Sequence, residues 1–256
     1  MVAGMRSSLA EIVRSLDELL RTSEVPDYPN ALNGLQLENN GKVTKVACAV
    51  DACLPVIEEA AAAGADLLVV HHGLFWGGLQ ALTGPAYRKL RRAVTAGLAV
   101  YSAHIPLDIH PEHGNNAILA KLLKINNPEQ FFTWKNILLG VRGETDVARA
   151  SFVRRVSRAV GGPVHLCPGG PDHVRRVGVV TGGAGGEIAA LAATGVDTVV
   201  TGEGPHWSYT AAEELGVNLI YAGHYATETF GVRSLAAWIE STHGLPWAFL
   251  DHPSGL

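Results

Sequence analysis

Two adjacent histidines, His71 and His72, end the aliphatic run Leu67-Leu68-Val69-Val70 and are followed by the glycine-punctuated Gly73-Leu74-Phe75-Trp76-Gly77-Gly78. Further along, His104 precedes Asp108 and His224 precedes Glu228, the same histidine-to-carboxylate spacing twice. Imidazole nitrogen and carboxylate oxygen are the donors that suit zinc, iron or manganese, whereas a structural zinc site would call for clustered thiolates. The cysteines, Cys48, Cys53 and Cys167, are too scattered for that. Six donors, His71, His72, His104, Asp108, His224 and Glu228, exceed what one tetrahedral ion needs. They fit two divalent ions bridged by carboxylate, with positions left for water and substrate.

Two such ions balanced by Asp108, Glu228 and one hydroxide keep a net charge of about +1, which favours an anionic oxygen such as phosphate. Paired ions also make hydroxide available near neutral pH, so hydrolysis is the natural reaction class. Any one of these residues taken alone reads equally well as a hydrogen-bonded structural group. The set, placed at matched strand ends, carries the argument. A second reading keeps the metals but not the turnover: a metal-loaded protein acting as a regulator, scaffold or metal-handling protein.

To bring the donors together the chain needs an open α/β sheet, which places its chemistry just beyond the carboxyl ends of its strands. Strands are expected at 45–51, at 67–71 ending on His71, and at 98–102, with helices at 55–63 and 85–96 between them. Neighbouring strand residues point to opposite faces, so His71 and His72 serve one centre only if the chain bends, which Gly73 permits, or if they flank two ions. Before this block, Ser8 and Glu11 form a capping box for an amphipathic helix through Leu20, and Asn33-Gly34 marks a turn. The segment 104–115 reads as a polar loop. A β-like stretch at 131–141, a helix near 146–160 and the turn-rich Cys167-Pro168-Gly169-Gly170-Pro171 follow. Alternation then resumes with strands at 177–181, 197–201 and 218–221 and helices to Ala193, near 209–215 and at 229–241.

The two ends of the chain look like copies. One ungapped shift lays Val46, Gly64, Asp66 and Gly73 on Val177, Gly195, Asp197 and Gly204, and puts His72 on Glu203. A second lays Tyr101, His104 and Asp108 on Tyr221, His224 and Glu228. The expectation is an α/β protein of two similar halves related by a pseudo-twofold repeat, 1–125 and 176–256, joined by a connecting segment at 126–175, with the metal cleft between the halves.

At 256 residues, 47% hydrophobic and 17% charged, the chain can bury a substantial core without disulfides. Its net charge of −4 gives no general nucleic-acid footprint, although a local basic groove is compatible with it. No run is long enough to span a bilayer, and the odd, scattered cysteines suit a reducing compartment, so a cytoplasmic location is expected.

His71-His72-Gly73-Leu74-Phe75-Trp76, Ala103-His104-Ile105-Pro106-Leu107-Asp108 with Gly114-Asn115-Asn116, and Gly223-His224-Tyr225-Ala226-Thr227-Glu228 resemble the signature segments of the NIF-three-like proteins. These are also called dinuclear-metal-centre hexameric proteins or GTP cyclohydrolase 1 type 2 homologues. Asn33-Gly34-Leu35-Gln36 resembles the family's amino-terminal Gly-Leu-Gln segment, and the similarity runs in order over nearly the whole chain. The resemblance implies two divalent ions per subunit held by His71, His72, Asp108, His224 and Glu228, and a toroidal homohexamer. It places His104 beside the metals as auxiliary ligand, proton carrier or a group that supports the ligands from behind, the candidate catalytic residue. The short middle segment leaves no room for the large extra domain that some relatives insert there.

Other residues have less defined roles. Glu203 and His206 mirror the His72 strand end and are candidates to line the cleft. The loop Gly182 to Gly186 has no P-loop lysine, and close packing is favoured over phosphate binding. Phe75 and Trp76 would stack on a purine, cover the mouth of the site or make subunit contacts, the last slightly preferred. His110 and His113 read as a solvated loop, and His165, His173, His243 and His252 as surface or structural groups.

Overall fold

A computed structural model describes residues 7–78 and 80–256. Among these residues are eleven strands, arranged in two sheets, and nine α-helices. By internal contacts the chain divides into two units, one drawn from Met1–Leu107 with Gly231–His252 and the other from Asp108–Phe230 with Pro253–Leu256.

The first unit opens with α1 (Leu9–Leu20), whose Ser8 and Glu11 form the expected capping box. Its apolar stripe of Leu9, Ile12, Leu16 and Leu20 is buried. Strand β1 (Gly34–Leu37) follows, then β2 (Val46–Asp51), α2 (Leu54–Ala62), β3 (Leu67–His72), α3 (Gly84–Ala96) and β4 (Ala99–Ser102). Strands β2, β3 and β4 are parallel, and β1 adds antiparallel to β4. The period of two decides which core each residue joins. Val46, Cys48, Leu67, Val69 and Tyr101 pack with α1, while Ala47, Ala49, Leu68, Val70 and Val100 pack with Val56, Ile57 and Ala93 on α2 and α3. Both faces of the sheet are covered, which is why these strands read as continuous aliphatic runs.

The second unit contains α5 (Asn115–Leu122), β5 (Asn126–Trp134), β6 (Ile137–Ala148), α6 (Arg149–Val160), β7 (His165–Pro168), β8 (His173–Val179), α7 (Ile188–Ala193), β9 (Thr198–Thr201), α8 (Trp207–Leu215) and β10 (Asn218–Tyr221). Its sheet order is β5-β6-β8-β9-β10-β7, with β8, β9 and β10 parallel. The division points fall within two helices, α4 (Ile105–Asp108) and α9 (His224–His243), after Leu107 and Phe230. After α9 comes β11 (Trp247–Phe249), which lies parallel to β2 at the edge of the first sheet.

The repeat is visible in the ladders. Val46 pairs with Leu67 and Val177 with Thr198, the same register in both sheets. An antiparallel strand flanks the third parallel strand in each, β1 on β4 and β7 on β10. At the third strand the equivalence shifts by one residue. Ala103 donates to the Val70 carbonyl and Ala222 to the equivalent Thr201 carbonyl, so His104 corresponds to Gly223 rather than to His224. Gly223, at φ +89°, supplies the extra residue at the turn into α9.

Several expectations change. The polar loop at 104–115 holds α4 and the start of α5, whose buried Asn115 and Asn116 disguise a helix. Helix α9 starts at His224, five residues before the expected 229, and distant groups meet its first turn: the Gly182 amide donates to Thr227 Oγ1 at 3.1 Å and the Tyr225 amide to the Leu256 carbonyl at 3.1 Å. β1 and β11 are too short to show a period. The polar start of β5 belongs to an edge strand whose residues 126–130 are all exposed.

Candidate metal centre

The donors of the first unit gather at the carboxyl end of β3. His71 has the parity of Leu67 and Val69, His72 that of Leu68 and Val70, and both are buried. Their ring centroids are nevertheless 4.9 Å apart, because both rings lie at the strand end, and His104 joins them at 4.8 Å from His71 and 5.5 Å from His72. One ring nitrogen from each of His71, His72 and His104 lies within 4.8 Å of the others, a spacing that could hold a metal ion.

Each of these rings is oriented through Nδ1. His71 Nδ1 is 2.9 Å from the Ala103 carbonyl, His72 Nδ1 2.8 Å from Asp51, and His104 Nδ1 2.8 Å from Asp27. A carbonyl only accepts, so His71 donates from Nδ1 and carries its lone pair on Nε2, the nitrogen a metal requires. The carboxylates impose the same tautomer on neutral His72 and His104. Asp27 is itself clamped, accepting from Asn33 Nδ2 at 2.8 Å and from the Ile105 amide at 2.9 Å. Burial pushes its carboxyl up, but hydrogen bonds from His104, Asn33 and the Tyr28 amide outweigh this and hold it below the ordinary value.

Gly73 does not bend the chain through a left-handed φ. A Cβ there would lie 2.3 Å from the Gln36 amide, whose Oε1 accepts from the Leu74 amide at 2.7 Å. Trp76 sits over the cluster, its ring centroid 4.8 Å from His72 and 4.5 Å from His104, whereas Phe75 packs into the core.

The second unit presents Asp108, His224 and Glu228. Asp108 Oδ1 accepts from Asn115 Nδ2 at 2.8 Å, and Asn116 Nδ2 holds the Asp108 carbonyl at 3.1 Å. His224 and Glu228 lie one turn apart on α9, with Nε2 to Oε1 at 3.1 Å, while His224 Nδ1 is 2.9 Å from Glu203. Burial works against charging His224, but the Glu228 and Glu203 carboxylates prevail and push its pKa up to about 9. Without a metal, both ring nitrogens therefore carry protons at neutral pH.

Gly182 anchors this set. Its carbonyl accepts from the Gly202 and Glu203 amides at 2.8 and 3.0 Å, and its amide donates to Thr227 Oγ1 at 3.1 Å. It has φ +70°, and a Cβ would lie 2.5 Å from Glu228 Oε1. At Gly185 a Cβ would meet Gly204 Cα at 2.6 Å, so close packing calls for glycine there, whereas at Gly183 and Gly186 a Cβ would make only ordinary contacts at 3.8 and 3.7 Å.

His206 is exposed, Glu203 braces His224, and His110 and His113 form a ring pair 4.9 Å apart. Cys48 and Cys167 are buried and Cys53 partly so, all as free thiols, with burial holding Cys48 up at about 12. The sequence reading missed Asp27 and Asp51. Asp51 ends β2 beside His72, a position the strand pattern could have revealed, whereas nothing in the spacing marks Asp27.

An α/β protein whose strand ends and helix starts carry oriented imidazole and carboxylate donors belongs to the class of candidate metal-binding proteins. The Duf34/NIF3 (NGG1p interacting factor 3) family matches residues 7–253. A Deinococcus radiodurans protein called GTP cyclohydrolase 1 type 2 homolog is 46% identical, over 96% of this chain and 94% of its own. The protein of that name from Pyrococcus abyssi is 41% identical, over 96% and 98%. Among solved structures, TTHA1606 from Thermus thermophilus superposes with a TM-score of 0.89 at 40% identity, covering 97% of this chain and all of that one. Protein ybgI, described as of unknown function, gives 0.90 at 33% identity, covering 98% and 100%. This chain belongs to the Duf34/NIF3 family. No helix among its described residues is long and apolar enough to cross a membrane.

Proposed function

We propose that this protein binds two divalent metal ions per subunit, zinc, iron or manganese, through His71, His72, Asp108, His224 and Glu228, and is a metal-dependent hydrolase of a small anionic or nucleotide substrate. The observation that carries the reading is the Nδ1 bracing of His71, His72 and His104, which aims three basic Nε2 atoms from one strand end and the turn beyond it. The donor set fits hard-to-borderline divalent ions: nitrogen and oxygen, no thiolate. Bound ions would supply Lewis acidity and lower the pKa of water toward neutrality.

The chain's own residues have separable tasks. Asp51, Asp27 and the Ala103 carbonyl fix imidazole tautomers, and Asn115 and Asn116 orient Asp108. His104, backed by Asp27, holds or moves a proton at Nε2, the arrangement of a general base steadied by a carboxylate. Relatives named GTP cyclohydrolase 1 type 2 homolog put GTP among the substrates to try. The toroidal homohexamer and the cytoplasmic location belong to the same proposal.

The test is elemental analysis of the purified protein followed by a hydrolysis panel of nucleoside mono-, di- and triphosphates, GTP and simple phosphoesters, with Asp108→Asn as control. Bound metal with turnover lost in the variant supports the enzyme. Bound metal with no turnover across the panel favours a metal-loaded ring that regulates, scaffolds or handles metal. Absence of metal after incubation with each ion overturns both.

A further inference from the structure

Two aromatic rings flank the histidine cluster in the first unit and remain open to solvent. Trp76 is 37% exposed and Tyr28 49% exposed, although each packs partly on His104. Their rings stand edge to face, 76° between planes and 6.3 Å between centroids. Together they form a corner of π surface against which a flat ring can stack on one aromatic while its edge meets the other.

The corner is braced. Tyr28 lies in a turn closed by the Ala31 amide on its carbonyl at 3.0 Å, and Trp76 in one closed by the Gly78 amide on the Phe75 carbonyl at 2.8 Å. Gln36 ties the two turns together. Its Nε2 donates to the Ala31 and Leu32 carbonyls, each at 2.9 Å, and its Oε1 accepts from the Leu74 amide. Lys89 Nζ adds a bond to the Leu74 carbonyl at 3.2 Å. Exposed aromatics held by a cross-brace, beside donors suited to a metal, are preorganised for a ligand rather than left over from the core.

We infer that Tyr28 and Trp76 form a stacking subsite for a planar heteroaromatic ring, a nucleobase in chemical class, whose attached anionic group is the part addressed by the metal donors. The placing of the anion rests on the function proposed above; the stacking of the ring does not. Stacking is tolerant of base identity because every base has a π face, so the subsite selects nucleotides over sugar phosphates more than one base over another.

The experiment is calorimetric titration of the metal-loaded full chain with adenosine and guanosine 5′-monophosphate, adenosine, and ribose 5-phosphate. Both nucleotides are expected to bind at least tenfold more tightly than ribose 5-phosphate. Trp76→Ala and Tyr28→Ala should each shrink that ratio to about twofold or less while leaving ribose 5-phosphate affinity and metal content unchanged; Trp76→Phe should restore most of it. Gln36→Ala should reduce the ratio in part. Equal binding of nucleotide and sugar phosphate, or a ratio indifferent to Trp76→Ala, overturns the subsite. So does a change in the mass of the assembly in Trp76→Ala, which would mark the corner as a contact between copies. If ribose 5-phosphate does not bind but adenosine does, and only with Trp76 present, the stack stands and the metal-anion reading falls.

Discussion

Nδ1 of His104 lies 2.8 Å from Oδ1 of Asp27, 77 residues earlier in the chain, and both side chains are buried, at 9% and 6% exposure. Asp27→Asn keeps the shape but removes the charge that receives this hydrogen bond and those of Asn33 and Ile105. A charge-assisted bond of this kind contributes about 1.5–3 kcal/mol, and denaturant unfolding of the metal-free protein should show a loss in that range. The folded pKa of Asp27 is depressed, so its contribution is present above the unfolded value and disappears as pH falls through the lower folded value. The wild-type advantage over the variant should therefore fade in strong acid; an advantage that grows there would refute the assignment.

His224 behaves with the opposite sign. Its folded pKa, pushed up to about 9 from the ordinary 6.5, gives the metal-free protein stability that is complete below 6.5 and lost as pH rises through about 9. A metal ligand must be neutral, so ion affinity at this residue should climb over the same interval. Histidine NMR titration of the metal-free protein, compared with Glu228→Gln, checks this: the variant should titrate closer to 6.5.

Glu228→Gln should also lose bound metal in elemental analysis, since an amide is a poorer ligand and cannot offset ionic charge. Asp51→Asn and Glu203→Gln, which alter only the partners of His72 and His224, should weaken metal affinity by about 10- to 100-fold, read by competition with a chelating dye. Unchanged affinity in both would show that the Nδ1 contacts do not tune the donors.

Gly182→Ala tests the anchor of the second donor set. The left-handed backbone costs about 1–2 kcal/mol for a residue with a Cβ, and here the Cβ would press on Glu228 Oε1 as well. The expected outcome is a lower unfolding temperature by calorimetry together with reduced metal content. Gly216→Ala, which has a similar φ of +69° and open space around it, should show the stability loss alone.

Much of the first sheet was legible. The strands 45–51, 67–71 and 98–102 were readable because burial on both faces forces unbroken aliphatic runs, and the helix after Ser8 because its capping box and apolar stripe are local. The candidate donors were legible as residue types, His71 and His72 at the end of an aliphatic run and the other four in a repeated histidine-to-carboxylate spacing, although the structure sets Asp108, His224 and Glu228 on helices rather than at strand ends. What escaped was whatever depended on distant partners: the early start of α9, the edge strands β1 and β11, and the carboxylates Asp27 and Asp51 behind the imidazoles. The match of His104 to His224 also hid a one-residue offset, because identical spacing in sequence does not require identical ladder register.

By itself the sequence determined the α/β alternation, the internal repeat and the identity of the candidate donors, since periodicity, turn chemistry and residue type are properties of short stretches. Only the tertiary structure decided which nitrogen each imidazole presents, which carboxylate keeps its proton in place, and that Gln36 ties the Tyr28 turn to the Trp76 turn. Those outcomes depend on hydrogen bonds and close approaches between residues many positions apart, and such distances are set by packing rather than by order along the chain.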